Sequence, residues 1–216
     1  MLGRIAIIAA LALAVAPGTV AAKPRPSGFN AAAWTIGPLI NGRNYSRGVA
    51  LHPSPGPAGG WHIDLPAAPG SVHYVTFHHG SLAGKSRIVM RYRIEVEPGA
   101  RILPITAPQL PSIITLYFQR RGDDWSGAGW FETYRWYATF VSQSPITAGA
   151  HEMSASLTGN WTAVETSSAR TNPAAFQAAL ANADEVGFVL GGGDGYGHGV
   201  FATGRARLVV TYFAIL

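Results

Sequence analysis

The sequence predicts an all-β protein, an antiparallel two-sheet jelly-roll β-sandwich with one short helix. Three observations carry that prediction. From Val72 onward, blocks rich in β-branched and aromatic residues alternate apolar and polar side chains with a period of two, as half-buried strands do. Clusters of Gly, Pro, Asn and Asp separate these blocks at short intervals, the punctuation of turns between strands. Only residues 174–181 carry apolar side chains at helical spacing, so a parallel βαβ arrangement has no crossover helices to build it.

In chain order the predicted strands are 61–65, 72–78, 86–96, 112–119, 130–141, 151–157, 161–164 and 185–190, followed by a long closing strand from Val200 or Arg205 to Ile215. On the closing strand Ala206, Leu208, Val210, Tyr212 and Ala214 share the more apolar parity, expected to face inward. Asn172 before Pro173 reads as an N-cap followed by proline at the first helical position, with Phe176, Ala179 and Leu180 on the buried stripe. The helix is expected to lie over an open end of a sheet. The Pro/Gly-rich stretches 53–60 and 66–70 read as loops.

At the N-terminus Arg4 precedes an apolar run over 5–15, and Val20-Ala21-Ala22 supplies small residues for cleavage, so residues 1–22 read as a signal peptide. That run is about half of the ~20 residues a membrane-spanning helix needs, and no other segment is apolar enough. Residues 23–33 read as a flexible arm and 34–216 as a single domain. An exported chain with no cysteine forms no disulfides or thiolate metal sites, a pattern that favours a periplasmic or secreted bacterial protein. The net charge is +5, yet the arginines are scattered singly and only Arg120-Arg121 are adjacent. Nucleic acid is therefore not an expected partner.

Two segments could carry chemistry. The glycine-rich run 191–204, "GGGDGYGHGVFATG", follows a strand but opens no helix and lacks a P-loop lysine, so it is not a phosphate cradle. Asp194 and His198 give only two side-chain ligands where catalytic zinc uses three, with His73, His78, His79 or Asp64 as distant candidates for a third. No cofactor is expected; a structural calcium held partly by backbone carbonyls stays open. Glycines there suit a loop that lets another backbone or a ligand approach closely. Asp194, Tyr196 and His198 could then line one end of a site.

The second segment, 120–136, "RRGDDWSGAGWFETYRW", concentrates Trp125, Trp130 and Tyr134 with the carboxylates Asp123, Asp124 and Glu132. Aromatic faces stack on sugar rings and flanking polar groups bind hydroxyls, so this mixture suits a carbohydrate cleft. Trp136 is expected in the core, and Trp125, in a Gly-rich turn, at the surface. A glycosidase would need two carboxyl groups across a cleft, for which Asp123 or Asp124 with Glu132 are the available pairs. No G-x-S-x-G elbow supports serine catalysis, and no catalytic residue is assigned.

The order Trp61-His62-Ile63-Asp64-Leu65-Pro66, Tyr74-Val75-Thr76, Arg91-Tyr92-Arg93-Ile94, Asn160-Trp161, the helix with Phe176 and Leu180, Val186-Gly187-Phe188, then Tyr212-Phe213-Ala214-Ile215 resembles galactose-binding-domain-like jelly rolls. Many of these are carbohydrate-binding modules of bacterial glycan-degrading systems. The resemblance implies sugar bound on loops at one end of the sandwich or on a concave sheet face, with a structural calcium common. It assigns no ligand residue by position. The expected function is an exported, non-catalytic carbohydrate-binding protein; a polysaccharide hydrolase or lyase on the same scaffold, or a structural envelope or partner-binding module, are the alternatives. The oligomeric state stays open.

Overall fold

The chain is described by a computed structural model covering residues 30–56, 59–164, 167–193 and 196–216. The expected signal peptide, arm residues 23–29 and Asp194 lie outside the described residues. The protein is mostly β, with antiparallel sheets and one α-helix. Strands are numbered in chain order. The larger sheet runs β1 (Trp34–Gly37), β6 (Tyr74–His78), β14 (Ala183–Gly191), β9 (Ile113–Arg120), β10 (Arg135–Tyr137) and β13 (Thr162–Ala163), with β11 (Gln143–Pro145) also pairing on β9. The second runs β12 (Gly149–Ser156), β7 (Arg87–Val96), β16 (Ala206–Ile215), β5 (Trp61–Asp64) and β4 (Ser54–Pro55). Two short pairs complete it, β8 (Ile102–Pro104) with β15 (Val200–Ala202) and β2 (Leu39–Ile40) with β3 (Arg43–Asn44).

The apolar parities of the two large sheets meet in one core. Val75 and Phe77, Leu116 and Phe118, and Val186 and Phe188 come from one sheet; Ile88, Met90 and Tyr92 with Leu208, Val210 and Phe213 come from the other. An aromatic junction joins them, with the Trp34 ring 4.8 Å from Trp61, 5.0 Å from Phe213 and 4.6 Å from Phe77. Such tilted and edge-on contacts add to the burial of the rings themselves. The sequence reading places no strand at β1, whose four residues are too few to show a period.

Three sequence expectations change. Segment 130–141 is not one strand: Gly127 and Gly129 adopt left-handed backbone at φ +66° and +58°, a 3-10 helix follows over Gly129–Thr133, and only Arg135–Tyr137 is extended. The closing strand takes the later of its two expected starts, β16 beginning at Ala206, and the short β15 precedes it across a break where the Glu97 carboxylate occupies the space a Cβ on Gly204 would need. Within β16 a bulge between Val210 and Tyr212 reverses the inward parity, so Phe213 is buried and Tyr212 is half-exposed.

Helix α1 (Pro173–Ala181) begins with its proline as expected, but the Asn172 side chain donates to Ser167 Oγ at 2.7 Å and makes no cap hydrogen bond. Its Phe176 ring lies 4.8 Å from Trp136 and 5.9 Å from Phe118. Ahead of β1, Ala31–Ala33 forms a single 3-10 turn capped by Asn30.

Two tryptophans make opposite tests of this core. Trp34→Ala should cost about 3–5 kcal/mol by urea unfolding, because it opens a cavity at the junction of the sheets. Trp130→Ala, at a side chain 89% exposed, should stay within about 0.5 kcal/mol of the parent.

Candidate functional site

The larger sheet is also covered on its other side. Strand register aligns three rows there: Gly37, Tyr74, Val189 and Thr115; then Thr35, Thr76, Gly187, Tyr117, Tyr137 and Thr162; then His78, Glu185, Gln119 and Arg135. Tyr74, Tyr117, Tyr137 and Val189 form a second buried cluster, separate from the core. Buried phenols need partners, and these have them: Tyr74 and Tyr137 share a hydrogen bond of 2.8 Å, and Tyr117 donates to Gln119 Oε1 at 2.9 Å. Burial pushes the Tyr117 and Tyr137 hydroxyls well above the usual tyrosine range, so both stay neutral.

Two loops cover this face. In the first, the Asp123 side chain has no solvent exposure and lies with Oδ2 2.9 Å from Arg135 Nε, an ion pair by distance whose Nε–H is not aligned as a hydrogen bond. Gln119 Nε2 donates to the same oxygen at 2.9 Å, and the Trp125 backbone N–H donates to Oδ1 at 3.2 Å. Burial raises the Asp123 carboxyl from the ordinary aspartate range, with the Arg135 charge opposing. Arg135 Nη2 is buried with no hydrogen-bond partner among the described residues. The pair draws the turn onto the sheet, setting Trp125 edge-on to Tyr74 at 5.3 Å with the Arg135 guanidinium carbon 5.1 Å from the indole centroid. Trp125 holds a left-handed backbone at φ +67°. For so bulky a residue that costs about 1–3 kcal/mol and persists only where its surroundings fix it.

The second loop is the glycine run. Its ends close on each other, with the Gly199 N–H donating to Leu190 O at 2.9 Å. Tyr196 reaches back over the face, its ring 4.7 Å from Tyr137 and its hydroxyl donating to Ala163 O at 3.0 Å. Two glycines are required by close approach: a Cβ at Gly197 would sit 2.6 Å from Tyr74 Cε2, and one at Gly199, at φ +92°, 2.6 Å from His73 Nε2. His73 anchors the loop. Its Nδ1 lies 3.2 Å from Gly197 O, which can only accept, so Nε2 is the nitrogen that accepts from Ser71 Oγ at 3.0 Å. Burial lowers the His73 pKa below the ordinary histidine value; the Gly197 hydrogen bond opposes, and His198 and Arg47 add to the lowering.

Between the loops and β2 lies a depression of about 210 Å³, lined by Thr35, Tyr74, Thr76, Gln119, Trp125 and Glu185, with exposed Leu39 at its rim. Gly187 stands between Thr76 and Tyr117 in the middle row and contributes no side chain there. A larger hollow of about 510 Å³ lies on the other sheet beside Asp64, Glu97, Arg205 and Arg207. Both of its arginines are already paired, Arg207 Nε with Asp64 at 2.6 Å and Arg205 Nε with Glu97 at 3.0 Å.

The residues singled out from the sequence divide. Asp123, Trp125 and Tyr196 converge on the tyrosine face. Asp124 caps its own turn, accepting from Ser126 N and Oγ at 2.8 and 2.7 Å. Trp130 and Glu132 lie on the 3-10 helix beside α1, and Tyr134 ends it beneath the Arg120 guanidinium at 4.6 Å. His198 is exposed at the loop's far end, its ring 6.4 Å from Tyr196. Among the described residues no three His, Asp or Glu side chains gather as metal ligands. His78 is 2.7 Å from Asp184 and Asp64 is taken by Arg207. No helix among the described residues is long and apolar enough to cross a membrane. Sequence reasoning missed Tyr74, Thr76, Tyr117, Gln119, Arg135, Tyr137 and Glu185. Their signal is the second parity of β6, β9, β10 and β14, which carries tyrosines and hydrogen-bonding groups in place of a solvated face. No protein-family model matches the chain, and no curated protein sequence matches it.

Asp123→Ala should destabilise the protein by about 3–5 kcal/mol in urea by leaving Arg135 buried and unpaired, while the double change Asp123→Leu with Arg135→Met should recover most of the loss. His73 gives a pH test. Its folded pKa is depressed, so the stability it contributes is complete above about pH 6.5 and is lost as pH falls below that toward the folded value. Between about pH 7 and 5 the parent's Tm should fall more than that of His73→Gln.

Proposed function

We propose that the chain is an exported, non-catalytic carbohydrate-binding protein built as a jelly-roll β-sandwich, of the kind its sequence pattern resembles, with the saccharide held in the depression beside Trp125. The observation that carries the proposal is Trp125 itself. It is an indole kept in a strained backbone conformation, standing at a small hollow beside Tyr74 with Thr76, Gln119 and Glu185 to meet hydroxyl groups. Strain of this kind is retained where a side chain must be presented in one place. An aromatic wall with a few convergent polar groups is the composition of a sugar subsite. At about 210 Å³ the hollow is smaller than the ~300–1,000 Å³ of drug-sized pockets, and suits one sugar ring.

The buried, paired state of Asp123 argues against its use as an acid or base toward a substrate. A binding role is therefore favoured over hydrolysis or elimination.

The test is a glycan array followed by calorimetry. Trp125→Ala should weaken saccharide binding about tenfold or more while the protein stays folded, since a ring contact is lost and the main core is not opened. A folded protein that binds no saccharide refutes the proposal. Turnover of a glycan that disappears in Glu132→Gln would replace it with the enzymatic reading, and a stable oligomer burying Trp125 with the interface reading.

A further inference from the structure

We infer that the saccharide carries a free, protonated amino group, and that Glu185 is the residue that receives it. The inference rests on the carbohydrate reading of this site and goes beyond it by fixing the charge of the ligand.

Charge around the hollow is one-sided. Of the described side chains that line it, Glu185 alone carries a formal charge at neutral pH; Thr35, Thr76, Gln119, Tyr74 and Trp125 do not. The cation closest in the strand register, Arg135, stands beyond Gln119 in the third row, is buried against Trp125, and is committed to Asp123. A carboxylate or sulfate on a ligand would find no cation to meet.

Among the described residues Glu185 has no cationic partner within ion-pair distance. On β6 it faces Thr76, which hydrogen-bonds it, and His78; on its own strand it adjoins Asp184; on β9 it faces Gln119. His78 sits 2.7 Å from Asp184 and Arg121 3.6 Å from it, so both neighbouring cationic groups are drawn to the adjacent aspartate. Among the described residues Glu185 makes no ion pair. Burial, chiefly, raises its carboxyl above the ordinary glutamate range, with Thr76 and His78 opposing and Asp184 adding.

A half-buried carboxylate with no counter-charge, set beside two aromatic rings, is a receptor for a cation. The carboxylate gains the partner that its burial makes valuable, while Trp125 and Tyr74 give the sugar carbons an apolar wall. Neutral hydroxyl groups satisfy Glu185 less well, and an N-acetyl group, which carries no charge, removes the ionic part of the contact.

The experiment is calorimetry at about pH 6, where the amino groups of a glucosamine oligomer are mostly protonated, with four probes of equal length: a glucosamine tetrasaccharide, its N-acetylated form, a neutral glucose tetrasaccharide and a uronic acid tetrasaccharide. The free-amine form should bind at least about tenfold tighter than the others. Glu185→Gln should abolish that preference, bringing the free-amine probe to within about threefold of the variant's own affinity for the neutral sugar. Should that variant fail to fold, the parent alone decides: lowering the pH to about 4 should remove the amine preference as Glu185 protonates, since the amine only gains charge over that range. Equal or tighter binding of the acetylated, neutral or acidic probe overturns this inference and leaves the carbohydrate reading standing. No binding of any saccharide by the folded protein overturns both.

Discussion

The ion pair between Asp123 and Arg135 organises the far side of the larger sheet. Arg135 is the third-row residue of β10, and without a counter-charge its guanidinium could not remain under cover. Asp123 supplies that charge from a turn, and the turn then has to lie flat on the sheet. Gln119 and the Trp125 amide divide the two carboxylate oxygens between them, so the next residues along the chain are fixed as well. The position of Trp125 is the outcome: it follows from where a buried charge must sit, and the left-handed backbone is the cost of meeting that demand.

Loop packing explains the rest of the face. A sheet covered on both sides must place two buried parities on every central strand, and here the two differ in kind. The parity toward the other large sheet is aliphatic and aromatic, with few polar atoms beyond indole N–H groups such as that of Trp136, which donates to Thr133 O. The opposite one is built from tyrosines whose hydroxyls pair with each other and with Gln119, beneath loops that contribute largely backbone. The glycine loop that opens as an apparent ligand motif is thus mainly a cover. Its glycines let main chain lie against Tyr74, Val189 and His73 at distances no side chain would permit.

Much of this was legible in the sequence, and the failures have physical causes. Period two located the strands β6, β7, β9, β12, β14 and β16 within a few residues, because each is long enough to display it. Strands of two to four residues, such as β1 and β8, carry no period to read. The bulge in β16 was invisible because a bulge changes phase without changing composition. In segment 120–136 the aromatic density read as sheet past Trp130, whereas the left-handed glycines at 127 and 129 delay the strand until Arg135. Asp123, Trp125 and Tyr196 were found because they belong to unusual loops. Tyr74, Tyr117 and Glu185 were not, because each is an ordinary strand residue until register sets them side by side.

The six tryptophans fall into three environments. Trp34, Trp61, Trp136 and Trp161 are sealed from solvent, Trp130 stands almost wholly in it, and Trp125 alone is half-covered at the hollow. An indole in contact with a guanidinium and a phenol emits differently from one in bulk water, and only Trp125 among the six changes its surroundings if the hollow fills. With Trp130 replaced by Phe, the intrinsic fluorescence of the folded protein becomes a direct optical record of that hollow's occupancy, with no label attached.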